Sequence, residues 1–154
     1  MGVSGSGKSL VGRLLSEALG LPFFDGDDFH PDHNKQKMAS GEPLDDKDRA
    51  GWLTELNQIA RDHVKGGAVI ACSALKEKYR AVLRDKMEDQ MAFIHLDGSF
   101  ELIKSRMEAR SGHFMPMGLL ESQFDTLEQP KDAIKVSIAQ RPPEIVDEIL
   151  SRLE

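Results

Sequence analysis

Apolar positions along the chain alternate between helical spacing and short continuous runs, and this alternation predicts the first elements. Residues 8–19 have apolar side chains at helical spacing, which are Leu10, Val11, Leu14, Leu15, Ala18 and Leu19. Gly20 follows as a C-cap. The apolar residues 21–24 predict a strand that ends in the acidic stretch 25–28.

Strands and helices continue to alternate through the rest of the chain. Further strands are predicted at residues 68–73, 91–96 and 133–138. Helices are predicted at residues 31–40, 45–64, 76–87 and 99–110, around 119–124 and from 142 onward. Inward-facing positions of these helices include Trp52, Val64 and Val82. This order predicts an α/β domain with a parallel sheet and helices on both faces.

Residues 2–9 match the phosphate-binding pattern G-x-x-x-x-G-K-S/T. They are Gly2, Val3, Ser4, Gly5, Ser6, Gly7, Lys8 and Ser9. Glycines allow the backbone N–H groups to converge on one anion, and the following helix directs its positive dipole end at the same point. We predict that Lys8 reaches the β- and γ-phosphates of a nucleotide and that the Ser9 hydroxyl holds Mg²⁺.

Asp25 and Asp27 lie just beyond the carboxyl end of the first predicted strand, at the sheet edge where ligands bind. Their spacing places both side chains on one side of an extended chain. We predict that Asp25 coordinates the metal through water and that Asp27 orients or deprotonates the acceptor hydroxyl. A solvated acidic turn is the alternative. His30 is predicted to bind substrate, although it could instead cap the next helix.

Basic residues are placed to contact phosphates and an anionic substrate. Arg106 and Arg110 share one face of a predicted helix and precede the irregular stretch 111–116. Residues 106–118 therefore predict a lid that closes over the triphosphate, with a solvated basic face as the alternative. Lys76 and Arg80 follow the second strand, where they could bind an anion or lie on the surface.

Composition narrows the functional class. The chain has 154 residues, enough for one domain, and its net charge of −6 argues against general nucleic-acid binding. Its longest apolar run, residues 68–72, is too short to span a membrane. The single Cys72 predicts a reducing, cytoplasmic setting. The segment 34–37 lacks the aspartate of a guanine-reading motif, so the small domain favours a kinase of small metabolites.

Several motifs together resemble the gluconokinase family over nearly the whole chain. After the phosphate-binding loop come Asp25-Gly26-Asp27-Asp28-Phe29-His30-Pro31 and the spaced residues Lys37, Met38, Gly41, Pro43, Leu44, Asp46, Asp48, Arg49, Trp52 and Leu53. The pattern continues with Cys72-Ser73-Ala74-Leu75-Lys76, Tyr79-Arg80, Arg110-x-Gly112-His113-Phe114 and Ser122-Gln123-Phe124. The blocks at 41–52 and 72–80 are specific, whereas the phosphate-binding loop alone is not.

This resemblance implies ATP-dependent, Mg²⁺-assisted phosphorylation of D-gluconate at its 6-hydroxyl. The product, 6-phospho-D-gluconate, feeds the pentose phosphate pathway. The resemblance also implies a nucleoside-monophosphate-kinase-like fold, with a five-stranded parallel sheet in the order 2-3-1-4-5, a lid and a homodimer. The implied substrate contacts are Arg49, Lys76, Arg80 and His113, because bidentate arginine suits a carboxylate.

One expected element is absent. A phosphate-binding loop normally follows a buried strand, but only Met1 precedes Gly2. We expect Met1 to be an internal methionine of a longer chain, or the chain to be a truncated form with little activity. Either case predicts a gap in the sheet or Met1 at its carboxyl edge. The alternative functions are a shikimate- or adenylate-kinase-like enzyme and an inactive truncated form.

Overall fold

The computed structural model describes residues 1–110 and 117–153. Its strands are β1 (Phe23–Asp25), β2 (Val69–Ala71), β3 (Ile94–Asp97) and β4 (Ile134–Ser137). Its helices are α1 (Lys8–Leu19), α2 (Asp32–Ala39), α3 (Asp46–Asp62), α4 (Glu77–Leu83), α5 (Phe100–Ala109), α6 (Met117–Thr126) and α7 (Pro142–Leu153), with a 3₁₀ turn at Gly26–Phe29. No helix in these two ranges is long and apolar enough to cross a membrane. His113 and the centre of the predicted lid lie outside the described residues.

The strands form two separate parallel pairs. β1 pairs with β2 from Phe23↔Val69 to Asp25↔Ala71, and β3 pairs with β4 from Ile94↔Ile134 to Asp97↔Ser137. Among the described residues no strand joins β2 to β3. The pairs are the outer halves of the predicted sheet, and no strand of the described residues lies between them.

Met1 lies in the gap between the two pairs. Its amino group donates to the carbonyl of Ile94 at 2.5 Å, and the amide of Leu96 donates to the carbonyl of Met1 at 2.9 Å. This is the parallel ladder pattern, with Met1 opposite His95. Gly2 donates to the carbonyl of Ser73 at 3.2 Å on the other side of the gap. The amino end of the chain therefore takes the last position of the predicted central strand.

A cavity of about 290 Å³ occupies the rest of the gap. Mostly apolar side chains of α1, β2, β3 and the segment before β3 line it, including Val11, Leu15, Ile70, Phe93 and Ile94. Burial, with the Lys8 charge second, lowers the pKa of the Met1 amino group to about 5. The gap therefore combines an apolar lining with an amino group that is costly to protonate there.

Two apolar cores hold the elements around the gap. One joins α1, β3, β4 and α7, with Val11, Leu15 and Ile149 among its buried residues. The other packs α3 against α4, with Leu53 and Leu56 at its centre.

Four predicted inward positions with large apolar side chains are wrong. Leu10 is 53% exposed, Leu19 is 40% exposed, Val64 is 42% exposed and Val82 is 38% exposed. Val64 follows the end of α3 at Asp62, and the apolar stripes of α1 and α4 are wider than the faces that pack.

Candidate active site

The phosphate-binding loop leads directly into α1 and leaves the amino end of that helix free. Gly7 has a left-handed backbone (φ 92°), and no side chain caps α1. The first turn of α1 contains no acidic residue of its own. At Gly5 (φ 77°) a Cβ atom would lie 2.9 Å from Cγ of Met107, because α5 packs against the loop. These features suit the binding of an anion at the start of α1.

Lys8 and Ser6 have incompletely satisfied polar groups in this loop. Nζ of Lys8 donates to the carbonyl of Val3 at 2.9 Å. Burial lowers the pKa of Lys8, and the nearby carboxylate of Asp27 opposes that shift. The buried Oγ of Ser6 has no hydrogen-bond partner among the described residues. An anion bound in the loop would compensate this buried ammonium.

Asp25 connects the loop to the acidic segment after β1. The hydroxyl of Ser9 donates to Oδ2 of Asp25 at 2.5 Å, and the amide of Asp27 donates to Oδ1 at 3.1 Å. The side chain of Asp27 is 75% exposed and faces the same region. Partial desolvation raises the pKa of Asp27, whereas the Lys8 ammonium lowers it. The structure thus brings Lys8, Ser9, Asp25 and Asp27 together, as the sequence predicts.

His30 and Trp52 form a stacked pair beside Asp27. Their ring centroids are 3.9 Å apart and the ring planes differ by 20°. Nε1 of Trp52 donates to the carbonyl of Gly26 at 2.7 Å, which fixes the turn that carries Asp27. Burial, helped by the charges of Arg49 and Lys35, lowers the pKa of His30 to about 4. His30 is therefore neutral at pH 7.

Arg49 reaches the cleft from α3. Its Nη1 donates to the carbonyl of Leu44 at 2.6 Å and to the Tyr79 hydroxyl at 3.0 Å. The Tyr79 hydroxyl donates in turn to Oδ1 of Asp46 at 2.5 Å. Lys76 pairs with Asp46 at 3.5 Å and lies near the same tyrosine ring. Burial and the bond to Asp46 raise the pKa of Tyr79 to about 12, so its hydroxyl stays protonated.

A narrow cleft of about 60 Å³ lies between the phosphate-binding loop, Asp27, His30 and Arg49. Its lining comes from the loop, the turn after β1, α3 and α6, and includes Ser4, Lys8, Asp27, His30, Arg49, Trp52 and Gln123. Oε1 of Gln123 accepts from the amide of Ser4 at 2.7 Å, which ties α6 to the loop. In the sequence, Gln123 is notable only as part of a motif, and helical spacing predicts Trp52 in the core. Neither residue can be predicted to line the cleft from the sequence, because that role depends on how distant elements pack together.

The structure places Arg80, which the sequence predicts as a substrate contact, on buried backbone carbonyls. Arg80 is 1% exposed and donates to the carbonyls of Ala74 at 2.7 Å and Glu128 at 3.0 Å, so it holds backbone. It does not line the cleft. Lys76 also does not line the cleft, and its ammonium forms a salt bridge with Asp46. Arg106 and Arg110 are exposed at the end of α5, the helix that contacts the loop at Gly5.

This α/β fold, with a phosphate-binding loop opening on a cleft of carboxylates and an arginine, defines a kinase domain of the phosphate-binding-loop class. Residues 4–154 match the family model for shikimate kinase. The thermosensitive gluconokinase of Escherichia coli K12 is 46% identical over 144 residues, covering 90% of this chain and 76% of that protein. By these similarities the chain belongs to the gluconokinase family.

A second relative and a solved structure also support membership of the gluconokinase family. A probable gluconokinase of Xenopus tropicalis is 47% identical over 146 residues, covering 84% of this chain and 77% of that protein. The crystal structure of a gluconokinase from Sinorhizobium meliloti 1021 superposes with a TM-score of 0.91 at 45% identity. That alignment covers 99% of this chain and 90% of the other. The alternatives of a shikimate- or adenylate-kinase-like enzyme are therefore less well supported than gluconokinase.

Proposed function

We propose that this chain transfers the γ-phosphoryl group of ATP to the 6-hydroxyl of D-gluconate. The products are 6-phospho-D-gluconate and ADP. The observation that carries this proposal is that Lys8, Asp27 and Arg49 line one cleft. The reaction needs three contacts. The ammonium of Lys8 would bind phosphate, the carboxylate of Asp27 would bind the acceptor hydroxyl, and the guanidinium of Arg49 would bind the gluconate carboxylate.

The transfer itself needs one proton acceptor and positive charge. The 6-hydroxyl oxygen attacks the γ-phosphorus, a new P–O bond forms, and the bond from the γ-phosphorus to the ADP oxygen breaks. The hydroxyl proton passes to Asp27, which is open to the cleft. Lys8 leaves the carbonyl of Val3 and stabilises the charge on the transferred group.

The oxygen groups of Ser9 and Asp25 fit Mg²⁺. A hydroxyl and a carboxylate 2.5 Å apart match the preference of this ion for one or two protein oxygens beside water and phosphate. We propose that Ser9 contacts the ion directly and that Asp25 does so through water. When bound, Mg²⁺ neutralises phosphate charge.

Arg49 is the proposed contact for the gluconate carboxylate. Only its Nη1 is bonded to described residues, so the other guanidinium nitrogens remain for the substrate. Arg106 and Arg110 are proposed to contact the nucleotide from the end of α5, as part of a lid over residues 106–118. Lys76 and His113 are proposed as further substrate contacts.

A coupled ADP assay with D-gluconate, shikimate and AMP as acceptors tests this function. We expect turnover with D-gluconate alone. Asp27→Asn should lower that turnover by roughly a hundredfold or more, because it removes the proton acceptor. Asp28→Asn is the matched control, since Asp28 is an exposed neighbour that does not line the cleft. Equal turnover of the two variants would reject the role of Asp27.

Nucleotide binding without turnover is a second candidate function. The cavity beside the phosphate-binding loop favours it, because the loop is supported less firmly next to empty space. Titration calorimetry with an ATP analogue separates the cases. Binding without ADP production would support the second.

We also propose that the protein acts in the cytoplasm as a homodimer. The buried free thiol of Cys72 supports a reducing compartment, and burial raises its pKa to about 11. The dimer is supported by the family resemblance. Light scattering of the purified protein tests it, and a mass of one chain at assay concentration would reject it.

A further inference from the structure

Asn34 is a fully buried side chain next to the cleft, and the proposed mechanism does not use it. Its Nδ2 lies 2.9 Å from the carbonyl oxygen of Asp48 and 3.2 Å from Nδ1 of His30. A carbonyl oxygen can only accept a hydrogen bond. The NH₂ of Asn34, and not its amide oxygen, must therefore face Asp48, which decides the orientation of the amide.

This orientation also decides the tautomer of His30. One N–H of Asn34 serves the carbonyl of Asp48, and the other faces Nδ1 of His30. Nδ1 must accept this bond, so it carries no proton. A neutral imidazole has one N–H group, which is then on Nε2. Burial lowers the pKa of His30 and keeps the ring neutral.

The Nε2–H group of His30 faces Asp27 across a gap that suits one oxygen atom. Nε2 lies 4.0 Å from Oδ1 of Asp27, too far for a direct hydrogen bond. An oxygen atom could lie about 2.8 Å from both Nε2 and Oδ1, with an angle of about 90° at that oxygen. This angle is compatible with two hydrogen bonds to one hydroxyl group. Such a hydroxyl would accept from His30, donate to Asp27, and keep a lone pair for attack on phosphorus.

We propose that Asn34 is a positioning residue that holds His30 as an Nε2–H donor, and that His30 orients the acceptor hydroxyl of the sugar acid against Asp27. The stack on Trp52 fixes the plane of the ring. The opposite tautomer would present a lone pair to the hydroxyl and compete with Asp27 for its proton. This inference rests on the proposed function for the identity of the acceptor, but the tautomer of His30 does not depend on it.

The tautomer can be observed by long-range ¹H–¹⁵N NMR on labelled, ligand-free protein at pH 7. We expect the proton of His30 on Nε2. Asn34→Asp replaces the donor by an acceptor and should move the proton to Nδ1. Asn57→Asp is the matched control, because Nδ2 of buried Asn57 likewise has two hydrogen-bond partners, the carbonyls of Leu83 at 2.8 Å and Asp85 at 3.0 Å. It should leave the His30 signals unchanged.

Kinetics then test the consequence. Asn34→Asp should lower kcat with D-gluconate about tenfold more than Asn57→Asp does, the loss expected for one hydrogen bond in the transition state. If Asn34→Asp does not fold, His30→Gln, whose amide N–H can replace Nε2–H, should retain more turnover than His30→Leu. A proton on Nδ1 in the unmodified protein, or equal kcat in the compared variants, would overturn the proposal. If the unmodified protein does not phosphorylate gluconate, the proposed function fails, while the NMR result still decides the tautomer.

Discussion

Filling the gap between β2 and β3 should stabilise the protein strongly. The change is a segment of five apolar β-forming residues joined to the amino group of Met1. Because Met1 pairs opposite His95, the added residues would run in parallel beside the segment before β3 and enter the cavity of about 290 Å³. Their backbone groups would bond to β2 on one side and to β3 on the other.

The expected gain follows from three contributions. Five buried apolar side chains contribute about 10 kcal/mol at roughly 2 kcal/mol each. Ordering five residues costs about 7.5 kcal/mol. Converting the Met1 amino group to an amide removes a penalty of about 1.4 kcal/mol at pH 7, for a pKa of 8.0 unfolded and about 5 folded. The net gain is about 4 kcal/mol, or on the order of 10 °C in Tm for this chain length.

Thermal unfolding followed by circular dichroism measures this gain. A five-residue Gly/Ser segment is the control, because it converts the Met1 amino group to an amide without filling the cavity. It should gain no more than the charge contribution. If the apolar segment stabilises no more than the Gly/Ser segment, the cavity is not a strand site and the reasoning is wrong.

The pH dependence provides a second test of the same reasoning. Between about pH 5 and pH 8 the unfolded chain binds a proton on Met1 that the folded chain does not. Stability should therefore rise with pH across this window. Both extended proteins should lose this contribution, because neither keeps an amino group at Met1.

Four other results are expected. Lys8→Ala should reduce kcat roughly a hundredfold with little change in Tm, because it removes a charge from the transition state. Arg106→Ala should lower kcat while far-UV circular dichroism stays unchanged; unaltered turnover would reject the lid contact. Arg80→Lys should lower stability by about 1–3 kcal/mol and leave the KM for gluconate unchanged, since Arg80 holds buried carbonyls. Stability should fall as pH drops from about 4 towards 2, because ionic bonds lower the pKa of Asp46 and Asp48 to about 2 and the unfolded chain binds more protons there.

Local patterns in the sequence predicted most of the elements. Helical spacing located α1 and α3, and the structure shows Asp45 and Ser99 capping α3 and α5. The phosphate-binding loop was evident from residue types alone, because its glycines and Lys8 have backbone and charge requirements that do not depend on distant parts of the chain. The gap between β2 and β3 was predicted as well, because a phosphate-binding loop normally follows a buried strand.

Tertiary packing decided which polar side chains face the cleft. Arg49 and Arg80 look alike in sequence, yet one lines the cleft and the other is buried on backbone carbonyls. Trp52 lies on an apolar stripe, and only the placement of α3 against the turn after β1 makes it a partner of His30. The role of Asn34 depends on the carbonyl of Asp48, fourteen residues away. Spacing along a helix reveals which side chains share a face, but what that face meets depends on elements far apart in the chain.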